Sequence, residues 1–237
     1  MSRRNPEAVA DTAAEQAKTG PILAHDIYRN NAEVIAYGCV PLGILKTTDV
    51  IADITYGLGN FWSLWMPEHG LAGADSYKGK LLGSDIDPAK SPTWRVSVDG
   101  TATGYADNFF DAVVIDGPYK LNGTSGGGGP ASSDAAYGVH VPSKWQDRHQ
   151  LIMDMMAEGH RILKPGGVML VKMQDQVCSQ KLRMQTYIFA KHAIEELGME
   201  LTNRFQLEGF RAQPEGRRQA TERSNYSTLH VYRKARR

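Results

Sequence analysis

The stretch from Asp111 to Tyr119 constrains the fold of this 237-residue chain more than any other. A run of branched apolar residues, 113–115, leads into Asp116, and Gly117-Pro118 follows at once. This pattern predicts a strand that is buried on both faces and stops abruptly at its carboxyl end, which is where open parallel sheets bind their ligands. A carboxylate, rigid backbone carbonyls and an aromatic ring within four residues suit an amino group on a planar ring. The alternative is a simple turn that leaves a strand.

Composition narrows the class of protein. With 41% hydrophobic residues the chain can bury a full core, which predicts one domain over residues 21–237 after a flexible tail, 1–20. A formal net charge of +1 excludes a generally basic nucleic-acid binder. Cys39 and Cys178 are the only cysteines, and neither has a Cys or His at metal-ligand spacing. No stretch approaches the length of a membrane span, so we expect a reduced, cytoplasmic protein without a membrane or metal partner.

Four predicted strands in succession deliver an acidic residue to their carboxyl ends. The strands are 48–54, 80–85, 94–98 and the strand that runs from Asp111 into Asp116. The acids are Asp53, Asp85, Asp99 and Asp116. Because the carboxyl ends of parallel strands meet at one edge of a sheet, we expect these acids to share a rim. Lys172 is expected at the same rim, at the end of a fifth buried strand, 168–173.

Two of these acids lie in recognisable surroundings. Gly57 and Gly59 follow Asp53 and let the backbone approach a ligand closely, but the third glycine of the dinucleotide fingerprint is missing, which argues against NAD. An acid at the end of the second strand, such as Asp85, usually binds the two hydroxyls of a ribose. The alternative is a loop acid that begins a turn before Pro88.

The rest of the chain predicts helices, loops and a closing strand pair. We expect helices over 25–37, 61–65, 143–162 and 179–197, a mobile glycine-rich loop over 120–142, and an antiparallel pair formed by 200–206 and 226–232. A basic loop, 207–225, joins the last two strands and carries Arg211, Arg217, Arg218 and Arg223. These arginines are predicted to contact nucleic-acid phosphates; the alternative is a solvated loop.

Four segments resemble, in order, the motifs of S-adenosylmethionine-dependent methyltransferases. They are Asp-Ile-Thr-Tyr-Gly-Leu-Gly at 53–59, Asp-Ile-Asp-Pro at 85–88, Asp-Gly-Pro-Tyr at 116–119 and Leu-Lys-Pro-Gly-Gly at 163–167. The third is similar to the Asp-Pro-Pro-Tyr signature of enzymes that methylate the exocyclic amino group of adenine or cytosine. From Thr48 to the C-terminus the chain resembles small solitary DNA methylases of actinobacteria and their phages. The resemblance implies an α/β Rossmann-like methyltransferase fold, with a mostly parallel seven-stranded sheet and an antiparallel closing strand.

The resemblance also implies roles for individual residues. The cofactor S-adenosylmethionine would be held by Asp53, Thr55, Gly57, Gly59, Asp85, Ile86 and Asp99, and the catalytic residues would be Asp116, Gly117, Pro118 and Tyr119. Asp116 and the Gly117 carbonyl would accept the N–H groups of the target amine, and Tyr119 would stack on an extruded base. Gly117 stands where the family usually has proline, so the carbonyl is retained and the rigidity is not.

The implied function is methyl transfer to an amino nitrogen of adenine or cytosine in DNA. Three alternatives remain: an RNA amino methyltransferase, a small-molecule methyltransferase that would not need the basic loop, and a binding protein that has kept the fold without turnover. Methylation of cytosine at carbon 5 is disfavoured, because it requires a cysteine nucleophile and neither cysteine lies in a suitable motif.

Overall fold

A computed structural model describes residues 26–73, 79–121, 142, 144–209 and 224–236. Its strands are β1 (Ile27–Tyr28), β2 (Ile51–Asp53), β3 (Leu81–Gly83), β4 (Phe110–Ile115), β5 (Leu163–Met173), β6 (Gln176–Cys178), β7 (Lys181–Arg183), β8 (Glu200–Glu208) and β9 (Tyr226–Arg233). Its helices are α1 (Asn31–Glu33), which runs on as a π-helix over Val34–Cys39, a 3₁₀ turn at Pro88–Lys90, α2 (Trp145–Ile162), and α3 (Gln185–Lys191), which runs on as a π-helix over His192–Glu196.

In the described part of the chain, seven strands form one sheet in the order β1-β8-β9-β5-β4-β2-β3. The neighbours β3, β2, β4 and β5 are parallel to one another, and β9 is antiparallel to both β5 and β8. The prediction of an α/β fold with a mostly parallel seven-stranded sheet and an antiparallel closing strand is therefore confirmed. A separate two-stranded hairpin consists of β6 and β7.

The central strand β4 is buried on both faces, as its apolar run predicts. Ala112 and Val114 belong to the core on the side of α1, whereas Val113 and Ile115 belong to the core under α2 and α3. All four are fully buried, and complete burial of a Val or Ile side chain contributes about 1.5–3 kcal/mol. This alternation leaves β4 no freedom to slip by one residue, so the position at which it ends is well determined.

Four residues, 164–167, loop out between two parts of β5. Leu163 pairs with Phe110, yet Val168 already pairs with Ala112. Gly166 has a left-handed φ of 80°, and a Cβ added to Gly167 would lie 2.9 Å from the Asp111 carbonyl oxygen. The two glycines are thus needed for backbone conformation and for close packing, respectively.

Three predicted elements are wrong, and left-handed residues explain two of the errors. The segment 94–98 contains turns instead of a third strand, because Arg95 adopts a φ of 54°. The predicted helix 179–197 begins only at Gln185, since Ser179 and Gln180, with φ of 54° and 61°, make the turn between β6 and β7. The segment 61–65 forms turns and bends, in which Phe61 and Trp62 are buried.

The N-terminal part of the predicted helix 25–37 is also different. Residues Ile27 and Tyr28 are extended and pair with Gln206 and Leu207 of β8. The helix begins after Asn30, whose side-chain oxygen accepts a hydrogen bond from the Glu33 N–H at 2.9 Å. The asparagine cap therefore ends the strand and starts the helix.

Some predictions lie outside the described residues. These are the tail 1–20, most of the glycine-rich loop 120–142, and the arginines Arg211, Arg217, Arg218 and Arg223. Among the described helices, none combines the length and apolar character that crossing a membrane requires.

Replacing Gly167 by Ala should lower the free energy of unfolding by about 1–3 kcal/mol, because the new methyl group collides with backbone at Asp111 and with the Leu163 side chain. Urea unfolding would measure the change. Gly73→Ala is the control, since a Cβ there meets no atom within 4 Å. Equal effects of the two substitutions would contradict this packing account.

Candidate active site

The first three motifs meet at the carboxyl-end rim of β2, β3 and β4. The backbone N–H of Thr55 donates to Asp53 Oδ1 at 3.1 Å, and the Thr55 hydroxyl accepts a hydrogen bond from the Asp116 N–H at 2.7 Å. The Gly57 N–H donates to Asp85 Oδ2 at 2.9 Å. Hydrogen bonds therefore link the loop after β2 to the segments that follow both neighbouring strands.

Asp53 is the most deeply buried of these acids, with 1% of its surface exposed. Its second carboxyl oxygen accepts a hydrogen bond from the Trp62 indole N–H at 2.7 Å. Burial raises the pKa of Asp53 to about 7, with a further contribution from the charges of Asp116 and Asp85. In this structure Asp53 holds Thr55 and Trp62 in place, and its predicted contact with a cofactor stays a prediction.

Asp85 and Asp99 lie side by side although no strand precedes Asp99. The Val98 N–H donates to the Asp85 carbonyl oxygen at 2.9 Å, and the Ser97 hydroxyl donates to the Ile86 carbonyl oxygen at 2.7 Å. Asp99 is exposed, and its carboxylate accepts hydrogen bonds from the backbone and the hydroxyl of Thr101. The segments that carry Asp85 and Asp99, both predicted to hold the cofactor, are thus neighbours just beyond the end of β3.

Glycines shape the loop between these acids. Gly57 and Gly59 have left-handed φ angles of 57° and 71°. Tyr56 lies so close to Gly59 and to Gly83 that an added Cβ would approach its side chain to 2.6 and 2.4 Å, respectively. Above Gly57, by contrast, the nearest atom to an added Cβ is the Thr55 carbonyl oxygen at 3.9 Å. The loop is therefore tightly packed at its base and open at Gly57.

The carboxylate of Asp116 accepts hydrogen bonds from two nitrogen donors. Asn31 Nδ2 lies 3.4 Å and Lys172 Nζ lies 3.2 Å from Asp116 Oδ2. Asp116 Oδ1 is buried and has no hydrogen-bond partner among the described residues. The site thus presents an acidic side chain that already receives N–H groups at one oxygen and has an unused acceptor at the other.

Lys172 is held between this carboxylate and two aromatic rings. Its Nζ lies 5.3 Å from the ring centroid of Tyr119 and 5.9 Å from that of Phe61. Burial by itself would lower the pKa of Lys172, but the charge of Asp116 and the Tyr119 hydroxyl outweigh it, so its pKa is raised. Lys172 is accordingly a protonated ammonium at neutral pH.

The turn after Asp116 is fixed by hydrogen bonds to its backbone. The Gly117 carbonyl oxygen accepts a hydrogen bond from the Tyr119 N–H at 2.7 Å. The Tyr119 carbonyl oxygen accepts hydrogen bonds from Gln176 Nε2 at 2.9 Å and from Gln185 Nε2 at 2.6 Å. Gly117, Pro118 and Tyr119 are all buried. A Cβ on Gly117 would lie 3.2 Å from Ile152, so a proline there would require that side chain to shift by a few tenths of an ångström.

A cleft of about 530 Å³ opens beside this turn. Its walls include Arg29, Asn30, Asn31, Asn60, Ser63, Leu64, Tyr119, Lys172, Glu208, Gly209 and Ser227. Asp116 does not line the cleft, whereas its two donors, Asn31 and Lys172, do. These two donors therefore connect the cleft wall to the carboxylate.

Sequence reasoning did not assign a role to several residues of this site. Lys172 carried a usable signal, because it was expected at the rim as the penultimate residue of a buried strand. Asn31 and Gln185 carried none. Asn31 lies 85 residues before Asp116, and Gln185, although fully buried, lies in a segment that was predicted as the interior of a helix.

The fold is similar to that of solved methyltransferase structures. A proposed methyltransferase from Bacillus halodurans C-125 has a TM-score of 0.51 and 13% sequence identity over 86% of this chain and 98% of that chain. This chain has a Rossmann-like methyltransferase fold. No protein-family profile matches its sequence, and no curated protein matches it either.

Two DNA methylase structures are similar over a shorter part of the fold. A proposed DNA modification methylase from Thermus thermophilus, in complex with S-adenosyl-L-methionine, has a TM-score of 0.40 and 13% identity over 58% of this chain and 54% of that one. The cytosine-N4-specific PvuII DNA methyltransferase has a TM-score of 0.41 and 14% identity over 58% of this chain and 48% of that one. The aligned region thus spans about half the length of these two relatives.

The raised pKa of Asp53 predicts a pH-dependent stability. The folded-state pKa of about 7 exceeds the unfolded value of about 3.9, so the folded protein holds an extra proton between these pH values. The free energy of unfolding should therefore fall as the pH rises through this window. Asp53→Asn, which keeps an acceptor for the Trp62 indole, should remove this part of the decline.

Urea unfolding of the wild type and of Asp53→Asn at several pH values would measure the difference. Asp107→Asn is a suitable control, since the Asp107 side chain is 69% exposed. If the free energy of unfolding changes with pH in the same way for wild type and Asp53→Asn from acid to neutral pH, the assignment of this decline to Asp53 is wrong.

Proposed function

We propose that this protein transfers a methyl group from S-adenosylmethionine to the exocyclic amino nitrogen of adenine or cytosine in DNA. The environment of Asp116 is the observation that supports this proposal. Its carboxylate follows the central strand and accepts hydrogen bonds from nitrogen donors at Oδ2, and one of these donors, the Lys172 ammonium, lies 5.3 Å from the centroid of the Tyr119 ring. These features suit a planar base that carries an amino group.

The chemistry of an aromatic amine explains why such acceptors are needed. The nitrogen lone pair is delocalised into the ring, so the amine is a poor nucleophile until its N–H groups are held by acceptors. Asp116 accepts one N–H, and the Gly117 carbonyl, which has a second lone pair beside its bond to the Tyr119 N–H, accepts the other. The carboxylate also stabilises the positive charge that develops on the nitrogen. The Tyr119 ring orients the base by stacking.

The rim residues fit the proposed cofactor. Asp85 lies just beyond β3, where an acid can bind ribose hydroxyls, and Ile86 and Asp99 adjoin it. Gly57 presents open backbone next to Asp85. S-adenosylmethionine would supply an electrophilic methyl group on a sulfonium sulfur. Thr55 positions Asp116, because its hydroxyl accepts a hydrogen bond from the Asp116 N–H while its own N–H donates to Asp53.

DNA as the substrate is supported by the location of the cleft. Glu208, Gly209 and Ser227 line it, and the segment that carries Arg211, Arg217, Arg218 and Arg223 joins Gly209 to Ser224 in the sequence. Gly209 and Ser227, which lie close to the two ends of that segment in the sequence, are thus at the cleft wall. The arginines of the segment would add positive charge for an entering phosphate backbone. An RNA amino methyltransferase remains the main alternative.

Labelled S-adenosylmethionine, incubated with mixed-sequence DNA or RNA, should transfer its methyl group to DNA, and nucleoside analysis should identify N6-methyladenine or N4-methylcytosine. Asp116→Asn should lower transfer by about 100-fold or more, because it replaces a charged acceptor at the reacting nitrogen, while cofactor affinity changes little. Asp85→Asn should instead weaken cofactor binding by about tenfold or more, since a charge-assisted hydrogen bond is lost. Calorimetry with S-adenosylhomocysteine would separate the two effects.

Asp87→Asn is the matched control, because the Asp87 side chain caps the neighbouring 3₁₀ turn through the Ala89 N–H. Transfer only to RNA would replace DNA by RNA as the substrate. Loss of cofactor affinity in Asp116→Asn as large as in Asp85→Asn would show that the division of roles is wrong.

Changing Arg217 and Arg218 together to Ala should weaken DNA binding and reduce the slope of log affinity against log salt by about 1–2, because each phosphate contact contributes about 0.9 to that slope. Filter binding at several salt concentrations would measure it. The charge-matched control is Lys181→Ala with Lys191→Ala, two exposed lysines that do not line the cleft. An unchanged slope in the arginine variant would exclude this segment as the phosphate contact.

A further inference from the structure

Lys172 already occupies the position beside Asp116 and Tyr119 that the proposed function gives to the amino group of the base. Its Nζ donates to Asp116 Oδ2 at 3.2 Å and lies 5.3 Å from the Tyr119 ring centroid. The ammonium therefore lies beside the ring on which the proposed function stacks the base. Its side chain is only 11% exposed. Lys172 therefore uses the carboxylate and the aromatic ring that the proposed function assigns to the substrate.

The location of the cleft shows why Lys172 matters for entry of a base. Lys172 and Asn31 line it, and both donate to Asp116 Oδ2. A base that enters from the cleft therefore reaches this carboxylate oxygen where the ammonium is already bonded to it. Since a protonated ammonium has no lone pair, Lys172 cannot itself accept the methyl group as long as it is paired with Asp116.

We propose that the Lys172 ammonium occupies the position of the target amino group beside Asp116, and that the target base reaches Asp116 by displacing this ammonium into the cleft. The inference rests on the proposed function and adds a residue that governs entry to the site. The four-carbon stem of lysine gives the ammonium the reach to move while it stays charged.

The exchange also selects for bases with an amino group. When Lys172 leaves, a base with an amino group returns an N–H donor to Asp116, and the number of donors at its carboxylate is kept. Thymine offers only a carbonyl oxygen at the corresponding position, so its entry would leave Asp116 without that donor. Only Asn31 would then donate to Asp116 Oδ2, and a site built to bind N–H groups rejects analogues that lack them.

Nuclear magnetic resonance on the wild-type protein tests the displacement directly. With carbon-13-labelled lysine and bound S-adenosylhomocysteine, the Lys172 signal is the one absent from Lys172→Met. Saturating dAMP or dCMP should shift this signal, and dTMP should leave it in place. Asp116→Asn should lower the pKa read from the same signal, because the paired charge is gone. Nucleotide binding, measured by calorimetry, with an unmoved Lys172 signal would overturn the proposal.

Kinetics of Lys172→Met provide the second test. The KM for mixed-sequence DNA should fall about three- to tenfold, because entry no longer breaks a hydrogen-bonded pair, and kcat should not fall. A higher KM or a lower kcat would show that Lys172 contacts the substrate productively, and would overturn the proposal. Lys164→Met is the matched control, because Lys164 pairs with Asp111 near the opposite end of the same two strands, at 2.6 Å.

The two experiments also separate this inference from the proposed function. If dAMP or dCMP displaces Lys172 but labelled methyl groups never reach DNA or RNA, the displacement stands and the proposed reaction is wrong. If DNA is methylated while the Lys172 signal stays unmoved by bound nucleotide, the reaction stands and the displacement is wrong. If neither dAMP nor dCMP binds to the wild type or to Lys172→Met, the proposed displacement is also wrong.

Discussion

Burial of β4 on both faces is the constraint on which the site depends. Ala112 and Val114 pack into one core and Val113 and Ile115 into the other, and a slip by one residue would exchange the two sets. The residue after Ile115 must therefore emerge at the carboxyl-end rim, and that residue is Asp116. The Thr55 hydroxyl then accepts the Asp116 N–H at 2.7 Å, which couples the position of the acid to the loop after β2.

The rim concentrates negative charge, and the protein compensates for it in two ways. Asp53 is buried with hydrogen bonds to both carboxyl oxygens, and its raised pKa reflects burial together with the charges of Asp116 and Asp85. Asp116 is instead paired with the ammonium of Lys172. A buried ion pair adds little net stability, whereas loss of one partner leaves a costly unpaired charge. The pair is thus better understood as compensation for the charge of Asp116 than as a source of stability.

The fold class and the order of the motifs followed from the sequence because they depend on local patterns. Apolar runs predicted β2, β3 and β4, and the segments 200–206 and 226–232 were predicted as the antiparallel pair that the structure shows as β8 and β9. The prediction failed where a single residue changes the path of the backbone. Arg95 interrupts the segment 94–98 and Ser179 with Gln180 makes a hairpin turn, all in left-handed conformations that L-residues rarely adopt and that apolar periodicity does not reveal. Asp99 nevertheless lies beside Asp85, because the backbone N–H of Val98 bonds to the Asp85 carbonyl.

The sequence by itself determined which acids end the strands at the rim, because strand burial and turn formation depend on residues close together in the chain. Only the tertiary structure decided what faces Asp116. Asn31 lies 85 residues and Lys172 lies 56 residues from it, and they meet because α1 follows the edge strand β1 while β5 pairs directly with β4. Contacts of this kind depend on strand order and register, which follow from the packing of the whole sheet, and no short stretch of sequence encodes them.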